Sequence, residues 1–94
     1  MIIKRTFVFE KWFSKQKNNI KEIIVIYLNR VVLGNMSNCK SLGGGLHELK
    51  IHYGKGIRVY FTNINGEIII LLCAGDKSSQ QEDIIKAKVL KENL

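Results

Sequence analysis

The stretch that decides the fold runs Lys40-Ser41-Leu42-Gly43-Gly44-Gly45-Leu46-His47-Glu48-Leu49-Lys50-Ile51-His52-Tyr53, then Gly54-Lys55-Gly56, then Ile57-Arg58-Val59-Tyr60-Phe61. From Leu46 to Tyr53 the side chains alternate. His47, Leu49, Ile51 and Tyr53 fall on one face, and Glu48, Lys50 and His52 on the other. In the next segment Ile57, Val59 and Phe61 alternate with Arg58, Tyr60 and Thr62. A two-residue turn would pair Ile51 with Arg58 and mix the faces. A three-residue Gly54-Lys55-Gly56 loop pairs His52 with Arg58, Ile51 with Val59 and Lys50 with Tyr60, which keeps the apolar face whole. The prediction is an antiparallel hairpin with one apolar and one cationic face.

Downstream, Asn65-Gly66 predicts a two-residue hairpin turn into a strand over Glu67 to Cys73. That strand is apolar on both sides, so it is expected to be central or covered. Ser79 and Glu82 have capping-box spacing. A C-terminal helix follows from about Gln80 to Glu92, with Ile84, Ala87, Leu90 and Leu94 facing the protein. Upstream, residues 35–45 read as a loop whose glycine triplet gives a flexible lead-in to the sheet. No Gly-Lys-Ser/Thr enters a helix there, as a phosphate-cradling loop would need. Gly34-Asn35 is a helix stop signal for a helix from about Ile20 to Leu33, striped by Ile20, Ile23, Ile24, Tyr27, Leu28 and Val31. Asn18-Asn19 separates it from a shorter helix that carries Phe9, Trp12 and Phe13, capped by Thr6. Ile2 to Phe7 can form a strand. The fold class is α+β: an N-terminal helical hairpin packed on a small antiparallel sheet, with a C-terminal helix.

The 94 residues are expected to form a single domain, residues 1–94, with a modest core. Fifteen Lys and Arg against eight Asp and Glu give a formal charge of +7, which suits a polyanion or an acidic protein as partner. Lys-rich solvated helices would give the same balance. Cys39 and Cys73 lack metal-ligand spacing, and Cys73 sits in an apolar run as a buried thiol would. Neither a metal nor a cofactor is expected. Met1-Ile2-Ile3-Lys4-Arg5 places charge where a signal peptide needs apolar residues, and no segment has the roughly 18 apolar residues of a membrane span. A cytoplasmic protein without membrane contact is the expectation.

The register gathers Lys50, His52, Arg58 and Tyr60 on one face of the hairpin, with Lys55 at its tip and Glu48 the one nearby acid. Clustered cations repel one another unless a polyanion lies among them. Tyr60 could stack on a base, and His52 carries the imidazole that proton transfer most often uses. The plainer alternative is the polar outer face that antiparallel sheets present to water.

The ordered set Thr6, Phe9, Trp12-Phe13, Arg30, Gly34-Asn35, Leu42-Gly43-Gly44-Gly45, Glu48-Leu49, Tyr53-Gly54, Arg58-Val59-Tyr60-Phe61, Gly75-Asp76-Lys77-Ser78, Gln80 and Asp83-Ile84 resembles the RelE/ParE superfamily of toxins from bacterial toxin–antitoxin pairs. Within it the chain is most similar to the addiction module killer protein group, related to HigB. The resemblance covers nearly the whole chain. It implies a microbial ribonuclease-like fold and a toxin neutralised by a helix-turn-helix antitoxin, with operator DNA engaged only through that antitoxin. Many RelE-like members cleave mRNA on the ribosome, ParE members inhibit DNA gyrase, and a non-catalytic co-repressor is a third possibility. By position, the resemblance implies that Lys50 and Arg58 hold the phosphate, that His52 or Tyr60 transfers a proton, and that Lys40, Lys55 and Lys77 bind RNA. The chain departs from the family where it has Lys50 for a frequent Arg, Ile23 and Tyr27 for two more, and Ser37-Asn38 for Gly-Asp. Lys50 cannot form the bidentate fork that Arg makes on phosphate.

Overall fold

The computed structural model describes residues 2–94. The elements in chain order are β1 (Ile2–Arg5), α1 (Phe7–Ser14), α2 (Asn18–Val32), β2 (Cys39–Gly43), β3 (Leu46–Ile51), β4 (Ile57–Ile64), β5 (Ile68–Gly75), a short 3-10 turn (Lys77–Ser79) and α3 (Gln80–Glu92). They build one five-stranded sheet in the order β1-β5-β4-β3-β2. The expected α+β class holds.

The apolar sequence of β5 explains the layering. It lies between β1 and β4, and both its faces are covered. On one face Ile69, Leu71 and Ala74 join Leu49, Ile51, Ile57, Val59 and Phe61 beneath Phe9 of α1 and Ile24, Leu28 and Val31 of α2. On the other, Leu72 and Cys73 join Leu46 and Tyr60 beneath Ala87 of α3. The pairing slips between Tyr60 and Phe61, because Tyr60 opposes Cys73 and Phe61 opposes Leu71. Leu72 is the extra residue of a β-bulge, which turns Leu72 and Cys73 to the same side.

Local signals place the helices. The Thr6 hydroxyl accepts from the Phe9 amide at 3.1 Å and so caps α1. At the end of α2 the Gly34 amide donates to Val31 and the Asn35 amide to Arg30, both at 2.9 Å, the double bond of a Schellman stop.

Five expectations need correction. The β3–β4 register is displaced by two residues: Lys50 pairs with Arg58, Leu49 with Val59 and Ile51 with Ile57. A shift of two preserves the side-chain period, so the faces were assigned correctly while the connecting loop is five residues long, 52–56. The stretch expected to be a loop before the sheet contains β2, which pairs antiparallel with β3. The glycine triplet is its hairpin turn, with φ of +87°, +60° and +80° at Gly43, Gly44 and Gly45. Such left-handed angles are strained for side-chain-bearing residues. The sheet is mixed, since β1 runs parallel to β5. Asn18-Asn19 opens α2 and does not separate the helices; the gap lies at residues 15–17. Ser79 makes no capping bond; its hydroxyl donates instead to Asp83 Oδ2 at 2.6 Å.

That last contact depends on Gly75. A Cβ there would collide with the Asp83 carboxylate and the Ser79 hydroxyl. Gly75→Ala is therefore expected to destabilise the protein by about 1–3 kcal/mol. Ile51→Ala, at a site with no exposed surface, is expected to cost about 2–5 kcal/mol. Exposed Lys50→Ala should stay within about 0.5 kcal/mol of the parent. Urea midpoints check all three. A Lys50→Ala loss as large as that of Ile51→Ala would mean the faces are inverted.

Candidate active site

The side of the sheet facing α3 carries two cross-strand rows. In the first, Lys40 of β2 stands beside Glu48 of β3, which stands beside Tyr60 of β4. In the second, Lys50 stands beside Arg58, which stands beside Gly75 of β5. The helix α3 covers only part of this face. Its first residue, Gln80, donates from Nε2 to Glu48 Oε2 at 2.9 Å. Beyond that contact the face opens as a cleft of about 320 Å³, lined by Lys40, Glu48, Lys50, His52, Arg58 and Gln80, with Ser37, Asn38 and Cys39 at one side.

Arg58 is only 5% exposed. Its Nη1 donates to the Gly56 carbonyl at 2.8 Å, and its Nε is buried with no partner. No carboxylate lies within ion-pair distance of it among the described residues. A guanidinium held this way is costly unless an anion reaches it, and the cleft is the route by which one can. Glu48 is buried to the same degree, fixed by Gln80. The cleft therefore combines a buried donor, two lysines, an imidazole and one positioned carboxylate.

The structure brings Lys40, Lys50, His52 and Arg58 together at the cleft, and burial differs among them. Lys50 and His52 are exposed, whereas Arg58, expected to point into solvent, is buried. Tyr60 lies on the expected face yet is fully buried, and its hydroxyl has no hydrogen-bond partner. Burial, and then the Glu48 carboxylate, push its ionisation well above the usual phenol range. It has no open face on which to stack a base. Lys55 and Lys77 do not line the cleft. They meet beside it, where the Lys77 amide donates to the Lys55 carbonyl at 3.4 Å.

Glu48 and Gln80, which meet at the cleft, were not assigned a role from sequence. Glu48 did have a signal: it is the one acid among the alternating Glu48, Lys50 and His52. Gln80 stands in the ordered residue set that carries the resemblance, but nothing local ties it to Glu48, because the two are 32 residues apart and only the packing of α3 joins them.

The profile of the phage-derived Gp49-like family (DUF891) matches residues 11–92. An uncharacterized protein of Haemophilus influenzae is 46% identical over 93 residues, covering 98% of this chain and 94% of that protein. Among solved structures, a mutant of the Escherichia coli toxin RelE in the free state aligns with a TM-score of 0.75 at 13% identity, over 96% of this chain and 95% of that one. The isolated E. coli RelE toxin aligns with a TM-score of 0.69 at 16% identity, over 90% and 95%. RelE within the intact E. coli RelBE toxin–antitoxin complex gives 0.68 at 14% identity, over 80% and 94%. At these identities the likeness is one of fold.

The buried groups around the cleft make stability sensitive to alkali. Burial, with a further contribution from Asp83, pushes the Cys73 thiol up to about 12. Above pH 9.0, the ordinary thiol value, the unfolded chain releases this proton while the folded chain keeps it. The unfolded state then binds fewer protons, so stability falls as pH rises. Tyr60, raised in the same direction, extends the fall to higher pH. Urea midpoints measured between about pH 8 and about pH 11 should decline, less steeply for Cys73→Ala and Tyr60→Phe. Midpoints that stay level would show that neither group is shielded.

Proposed function

The chain belongs to the phage-derived Gp49-like family and shares the RelE fold, and from that premise we propose that it is the toxin of a toxin–antitoxin pair acting as an mRNA endonuclease on the ribosome. The observation that carries the reading is the buried Arg58, which lines a cleft shared with Lys40, Lys50, His52 and Glu48 and whose Nε has no hydrogen-bond partner. An RNA phosphate supplies the negative charge that this guanidinium lacks.

In this reading the ribose 2′-oxygen attacks its own 3′-phosphate. Glu48, held by Gln80, removes the 2′-hydroxyl proton as the P–O2′ bond forms. Arg58, Lys50 and Lys40 stabilise the charge that builds on the phosphorane oxygens. The P–O5′ bond breaks, leaving a 2′,3′-cyclic phosphate, and His52 gives a proton to the departing 5′-oxygen. Tyr60 is a packing residue here, since it is fully buried. The partner is an acidic antitoxin segment, drawn to a chain of formal charge +7 at a rate that falls with added salt.

Inducing the chain alone is expected to arrest growth, with translation falling before DNA replication. Mapping mRNA 5′ ends should reveal new ends inside translated codons. Glu48→Gln keeps an oxygen for Gln80 and should slow cleavage by about 10²- to 10⁴-fold. Arg58→Lys keeps the charge but loses the fork, at a cost of about 10²-fold. Growth arrest with a DNA-damage response and no new 5′ ends would replace this reading with gyrase inhibition. No arrest at all would leave a co-repressor.

A further inference from the structure

Across the 52–56 loop from the cleft lies a second cavity of about 350 Å³. Trp12 and Tyr53 wall it, Ile20 and Ile57 give it an apolar lining, and Gln16 and Asp76 bring polar groups to it. The Tyr53 ring is held in place. Its hydroxyl accepts from Asn19 Nδ2 at 3.3 Å, and its carbonyl accepts from the Gly56 amide at 3.0 Å. Trp12 is braced from behind by Phe9, with ring centroids 6.0 Å apart. His52 lines the cleft and Tyr53 lines the cavity, so the two openings are reached from consecutive residues about 3.8 Å apart at Cα. Lys55, on the same loop, sets a cation beside the cavity.

We propose that this cavity receives one unpaired base of the RNA strand whose phosphate occupies the Arg58 cleft. The inference rests on the RNA-cleaving reading and adds to it the element that chooses the sequence. Aromatic walls and an apolar lining take the faces of a base, which every nucleobase offers alike. Gln16 and Asp76 meet its polar edge, which differs from base to base. Proteins that read single-stranded RNA use this division between stacking and edge contacts. Tyr60, the aromatic residue that the sequence offered for stacking, is sealed beneath α3, whereas Tyr53 is exposed.

Trp12 is the only tryptophan of the chain, so its emission reports on this cavity. The probes are a non-cleavable 2′-O-methyl trinucleotide and the same trinucleotide with its central base removed. The base-bearing probe is expected to quench Trp12 and to bind about tenfold tighter than the abasic one. Tyr53→Ala should erase that difference while leaving abasic binding in place, and Tyr53→Phe should retain it. Melting temperatures of the two variants show whether each is folded. If both probes bind equally and neither alters Trp12 emission, the base site is wrong and the RNA cleft stands. If neither probe binds, the RNA reading fails and takes the base site with it. A shift of Trp12 emission by the antitoxin but by neither trinucleotide would make the cavity a protein seat and overturn the assignment.

Discussion

A strand that is apolar on both sides cannot stand at the surface of a small protein. β5 is such a strand, and covering it sets the whole arrangement. Two N-terminal helices lie on one face and α3 on the other, while β1 and β4 occupy its edges. The strand order puts β3 and β2 on the far side of β4, where α3 covers only part of the face and meets β3 through the Gln80–Glu48 contact. The polar residues of β3 and β4 beyond that contact are the ones left in the cleft. The site is thus a product of where the cover ends.

The electrostatics of that uncovered strip are uneven. Exposed lysines contribute a field that salt screens, and each of them alone is worth little. Arg58 and Glu48 differ, because both are withdrawn from water and fixed by neutral partners, the Gly56 carbonyl and the Gln80 amide. Neutral partners hold geometry without cancelling charge. A guanidinium so held keeps its full attraction for an incoming anion, in surroundings where such attraction is strong.

Much of this was legible in the sequence wherever the signal was periodic or local. Alternation assigned the faces of β3 and β4, the Thr6 cap started α1, and Gly34-Asn35 ended α2. The register slipped by two because faces repeat with a period of two, and alternation cannot distinguish positions one full period apart. β2 was hidden because Cys39–Gly43 is short, has no clear apolar alternation and runs straight into the glycine triplet, and its strand state comes from pairing with β3. The exposure of the site residues was the least legible part. Arg58 and Tyr60 sit on a face that α3 partly closes, and nothing near either residue announces a helix from the far end of the chain. The same distance concealed Gln80.

The ends of the sheet carry one more consequence. β1 has four residues and includes Lys4 and Arg5, while β2 has five, carries Lys40 and breaks its pairing between Ser41 and Gly43. Short, cationic, irregular borders are poor templates for an added strand. Two copies that meet edge to edge would oppose like charges before the backbones could zip together. These borders give the protein little tendency to seed fibres, and a chain docking there gains more from side-chain contacts than from adding a strand.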